Sequence, residues 1–61
     1  MPVITFNGKA LTKEQKAQLA QEFTETAAKV TGIRKEAFVV LIREYDRENI
    51  GVGGVLLADK Q

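Results

Sequence analysis

Sixty-one residues make one small domain, residues 1–61 throughout. Such a chain buries only about 60% of the surface that its unfolded form exposes. With no Cys and no His, neither disulfides nor an ordinary structural zinc site can staple it, which leaves self-association as the common route to stability. The net charge of +1, with acidic residues among the basic ones, excludes the concentrated basic face that nucleic-acid phosphates demand. No apolar run approaches the ~18 residues of a membrane span, so no membrane partner is expected. No signal-peptide pattern is present, and the cytoplasm is the expected compartment.

Pro2 to Asn7 reads as a short strand, rich in β-branched and aromatic residues. Proline is tolerated at its first position because no ladder donor is needed there. Gly8-Lys9-Ala10-Leu11 forms a connection, and Thr12-Lys13-Glu14-Gln15 fits a capping box, with a hydroxyl at the N-cap and Gln three residues on. From Lys13 a helical period sets in. Ala17, Leu19, Ala20, Phe23, Ala27, Ala28 and Val30 form the predicted inner stripe, and Gly32 is a natural stop.

Arg34 to Ala37 suits a single helical turn. Phe38-Val39-Val40-Leu41-Ile42 is a continuous apolar run, the pattern of a strand buried on both faces. Strand, helix and strand give a βαβ unit of the α/β class with parallel strands and a right-handed crossover. Glu44 to Asn49 is polar and turn-like, and Ile50 to Leu57 alternates glycine with aliphatics, as a bent hairpin or an arm reaching another subunit. Two parallel strands are too few to stand alone. Further copies of the chain are the simplest cover, and closed symmetry is the usual result.

The chemistry concentrates at Pro2. If Met1 is removed, Pro2 carries a free secondary amine. An α-amino group titrates not far above neutrality, and an apolar pocket pushes it down by disfavouring the ammonium. Such an amine serves as a general base at neutral pH. The bland alternative is a proline that merely starts a strand. Gly51-Val52-Gly53-Gly54 lacks the GK[ST] ending and the following helix of a phosphate loop, so these glycines serve backbone turning or close contact.

Taken together, Met1-Pro2 before a strand, Thr12-Lys13-Glu14-Gln15-Lys16 opening the helix, Ile42-Arg43-Glu44 closing the second strand, and Ile50-Gly51-Val52-Gly53-Gly54 make the chain resemble the 4-oxalocrotonate tautomerase family. The resemblance implies a βαβ protomer that dimerises into a four-stranded sheet backed by two helices. It further implies a homohexamer, a trimer of such dimers. Met1 is then excised, and Pro2 is the base that ketonises enols or dienols of 2-oxo acids, without metal or organic cofactor.

The chain departs from the family pattern where dicarboxylates are bound. Val39 stands where an arginine is expected in the second strand, and Ile50 where an aromatic precedes the glycine motif. The first arginine aligns with Leu11 when counted from the helix, or with Lys9 when counted from the glycine. Lys9 is preferred because a carboxylate or oxyanion needs a cation, although loop lysines are ordinarily solvated. Arg43 shares a strand face with Val39 but lies about 13 Å along it, too far to replace an arginine there directly. Arg34 and Arg47 sit in loops that can reach a neighbouring subunit. Pro2 is therefore the catalytic candidate, and Lys9, Leu11, Val39, Arg43 and Ile50 are the substrate-binding ones. Two other readings stay open: the same proline as a general acid in hydration, dehalogenation or decarboxylation, and a non-catalytic oligomeric scaffold.

Overall fold

A computed structural model describes residues 1–60. Its main sheet has two strands, β1 (Val3–Gly8) and β2 (Val39–Glu44), joined by the 19-residue helix α1 (Lys13–Thr31). The strands are parallel, in a register that pairs Val3 with Val39 and Gly8 with Glu44. Short 3₁₀ turns at Lys35–Ala37, Arg47–Asn49 and Leu57–Asp59 link the remaining pieces. The last of these pieces is an antiparallel hairpin of β3 (Gly51–Val52) and β4 (Val55–Leu56).

The helix begins and ends as its sequence dictates. The Thr12 hydroxyl accepts from the Gln15 amide, and the Gln15 side chain accepts from the Thr12 amide, so the capping box is closed in both directions. Gly32 stops the helix in the left-handed region at φ 75°, its amide donating to the Ala28 carbonyl at 2.9 Å.

The two-residue period of the strands divides their side chains cleanly. Ile4 and Phe6 lie beside Val40 and Ile42 on the face that α1 covers, where Phe6 and Phe23 approach to 6.1 Å between ring centroids. Val3, Thr5 and Asn7 lie beside Val39, Leu41 and Arg43 on the opposite face, which the chain leaves open; Val3 is 51% exposed and Leu41 42%. The apolar run in β2 is thus covered on one face only within the protomer. The strand runs two residues past the apolar run, to Glu44, the end that the Ile42-Arg43-Glu44 match implies. The inner stripe of α1 fails at Ala17, which is exposed, and at Val30, which is 79% exposed. A 19-residue helix is about 28 Å long against roughly 20 Å for a six-residue strand, so its last turn outruns the sheet.

No described residue is fully buried. The radius of gyration is 15.0 Å, whereas a compact domain of this length has about 10 Å. The protomer is an open, extended unit with an apolar face on each side of its sheet and only one of them covered.

Candidate functional site

Pro2 is half-buried at the head of β1. Its carbonyl accepts a hydrogen bond from the Val39 amide at 3.0 Å, so the parallel ladder itself fixes Pro2 beside Val39. In the chain that begins at Met1 the Pro2 nitrogen is a tertiary amide with no basic lone pair. Met1 is 89% exposed, so the bond joining it to Pro2 lies at the surface.

The other candidates gather at the opposite end of β1. Beyond Gly8, Lys9 lines a hollow of about 660 Å³ together with Ala10, Tyr45, Asp46, Arg47, Ile50 and Leu57. Tyr45 and Ile50 also line an adjoining hollow of about 430 Å³ with Asn7, Gly8, Asn49 and Gly51. The structure therefore brings Lys9 and Ile50 together. Leu11 faces elsewhere, into a groove of about 320 Å³ over Phe6, Gln15, Gln18, Leu19 and Glu22 on the helix side. Arg43 lies beside Asn7 on the open sheet face, exposed to solvent. Arg34 is solvent-exposed and pairs loosely with Glu36 at 3.6 Å.

Seven steps of extended chain lead from Pro2 to Lys9, a span of roughly 23 Å. Pro2 and Val39 form one cluster, Lys9 and Ile50 another, and no small molecule touches both on a single protomer.

A fastening at the second cluster escaped the sequence reading. Glu44 ends β2 and holds two partners through one carboxylate oxygen. The Leu11 amide donates to it at 2.9 Å and the Lys16 ammonium lies at 3.1 Å. The Leu11 hydrogen bond first, and Lys16 second, hold the Glu44 carboxyl below the usual carboxylate range. This tie clamps the loop carrying Lys9 to the end of the sheet, and the Tyr45 amide reinforces it by donating to the Gly8 carbonyl at 2.9 Å. A second fastening comes from Arg47, whose Nη2 donates to the Leu57 carbonyl at 2.6 Å. With the Leu57 amide donating to the Ile50 carbonyl at 2.8 Å, it folds the carboxyl-terminal arm back over Ile50. The sequence alone offers an acidic residue at a strand end and a lysine in the first helical turn; their meeting depends on the register that sets Glu44 beside Gly8.

Against this geometry the relatives can be placed. The profile of the family described as "Tautomerase enzyme" matches residues 2–60, nearly the whole chain. The chain belongs to the tautomerase family. A probable tautomerase of Staphylococcus epidermidis is 40% identical over 63 residues, an alignment covering 98% of this chain and all of that one. Among solved structures, YwhB, described as a homologue of 4-oxalocrotonate tautomerase, superposes with a TM-score of 0.89 at 33% identity, covering 98% of this chain and 100% of YwhB. DmpI from Archaeoglobus fulgidus superposes with a TM-score of 0.83 at 38% identity, covering 95% of this chain and 100% of its own. The tautomerase fold of β1, α1, parallel β2 and terminal hairpin is the architecture of this chain as well.

Proposed function

We propose that this family member is a cofactor-independent tautomerase that ketonises enols or dienols of 2-oxo acids, with Pro2 as the general base after loss of Met1. The free secondary amine of Pro2 takes the hydroxyl proton of the enol. The oxygen lone pair becomes the new C=O, the conjugated double bonds shift by one position, and the far carbon takes the proton back from the prolinium. The amine ends as it began, so the reaction balances without oxidant, reductant or metal. The residues flanking Pro2 suit an uncharged amine: Val39 brings no charge, and the open sheet face beside it is apolar at Val3 and Leu41.

The observation that carries this reading is the division of the candidate site. Pro2 with Val39 and Lys9 with Ile50 lie at opposite ends of one protomer, and an uncovered apolar sheet face lies between them. A second copy, docked on that face or along the β1 edge in antiparallel sense, brings the Lys9 end of one protomer toward the Pro2 end of another. Closed assembly, a hexamer built from dimers, satisfies both the missing core and the divided site. In that assembly Pro2 is the catalytic residue, and Lys9 supplies the point charge for a substrate carboxylate. Val39 and Ile50 form an apolar wall that excludes water.

The test is the intact mass of the natively expressed protein followed by labelling with bromopyruvate. Loss of one methionine mass and a single adduct mapped to Pro2 are expected. Full retention of Met1, or alkylation scattered over lysines with Pro2 untouched, overturns the reading.

A further inference from the structure

We propose that the hollow between Lys9 and Leu57 seats the substrate carboxylate, and that Arg47 is its second cation. This inference rests on the tautomerase reading above and adds the substrate class: a 2-oxo acid with one carboxylate and an apolar tail. The family resemblance marks no residue at position 47, so the assignment comes from the hollow itself.

At about 660 Å³ the hollow falls within the ordinary range for small-molecule sites, roughly 300–1,000 Å³. Two cations line it, Lys9 and Arg47, and one carboxylate, Asp46. Neither cation belongs to an ion pair among the described residues, so the lining carries a net positive charge. Arg47 is also held in place. Its bond to the Leu57 carbonyl uses one of its five N–H donors and fixes the guanidinium against the wall formed by Leu57 and Ile50. A guanidinium fixed in this way meets a carboxylate with less ordering cost than a free one, and its planar fork matches the two oxygens. Lys9 adds a second point charge to the same lining.

The same geometry sets the rest of the substrate. Ile50 and Leu57 give the hollow an aliphatic wall beside the cations, suited to an apolar tail. Within the protomer, the residue laddered to Pro2 is Val39, which offers no partner for a second carboxylate. Val39 lies against Pro2, and Arg43 is about 13 Å further along the strand. One cationic end and one apolar end select a monocarboxylate.

Calorimetric titration of the native assembly with cinnamate, and with its uncharged isostere cinnamamide, tests this without requiring turnover. The native protein binds cinnamate at least about tenfold more tightly than the amide, as expected when charge-assisted bonds to one carboxylate are removed. Arg47→Gln keeps a donor for the Leu57 carbonyl and removes the charge. It weakens cinnamate about tenfold and leaves cinnamamide unchanged, and Arg47→Lys recovers part of the loss. Equal cinnamate affinity in Arg47→Gln, an equal loss of both ligands, or a native protein that binds neither ligand or does not distinguish them overturns the proposal. Cinnamate binding that follows this pattern in a Met1-free protein unable to ketonise phenylenolpyruvate refutes the tautomerase chemistry alone and leaves the carboxylate seat standing.

Discussion

Leu41→Asp tests whether the open sheet face is where copies of the chain meet. Leu41 is 42% exposed in the protomer and Val3, on the same face, 51%. Fully burying such side chains contributes about 1.5–3 kcal/mol each, so completing the burial of Leu41 is worth about 0.6–1.3 kcal/mol and of Val3 about 0.8–1.5 kcal/mol per protomer. Leu41→Asp removes the first contribution and adds the cost of an unpaired carboxylate at the interface, several kcal/mol. A combined loss of about 3 kcal/mol or more per protomer weakens association by more than about a hundredfold. Because none of the protomer's described residues is buried, dissociation and unfolding are coupled, and the melting temperature depends on protein concentration. Sedimentation velocity and circular dichroism over a hundredfold concentration range provide the assay. The variant sediments as smaller species and loses helix at concentrations where the native protein retains both. A variant that keeps the native sedimentation coefficient and the native melting curve refutes the argument for this face.

Further outcomes follow from the same structure. Pro2→Ala preserves a free amino terminus but replaces the secondary amine; turnover of an enol substrate falls by an order of magnitude or more, and an unaltered rate removes Pro2 as the base. Glu44 has its pKa lowered in the folded state, so its contribution to stability is full above the ordinary carboxylate range and is lost as pH falls through the lower folded value. Glu44→Gln therefore melts below the native protein at neutral pH, and the gap closes on acidification; a gap constant with pH contradicts the role given to Glu44. Gly32→Ala puts a side chain at φ 75° where it meets no neighbouring atom, so the cost is backbone strain alone, about 1–2 kcal/mol. It is read from denaturant midpoints at unchanged m-value, and an unaffected midpoint contradicts the cap.

Local chemistry in the sequence was enough for the helix and its sense in the fold. Thr12, Gln15 and Gly32 mark the ends of α1 because each satisfies a terminal backbone group within a few residues. The β-branched run from Val39 marks β2 in the same way. Features that depend on distant partners were less legible. The tie at the end of β2 depends on Leu11 and Lys16, which lie 33 and 28 positions before Glu44 in the chain. The exposure of Val30 depends on the relative lengths of helix and sheet, which a helical period does not encode. Of the candidate site, Pro2 is a candidate from its chemistry together with the family resemblance, and Lys9 and Ile50 are candidates from that resemblance. That these lie at opposite ends of β1 became visible only with the strand in place. Arg47 was legible as a loop cation, while its hold on Leu57 is a product of the folded carboxyl-terminal arm.

Pro2 is the only proline in the chain, so labelling with ¹⁵N-proline gives a single nitrogen resonance that reports its state directly. A secondary-amine signal that titrates below the ordinary α-amino range, in the assembled protein, is the result expected of a desolvated general base. An amide-range signal that does not move with pH would contradict the account outright.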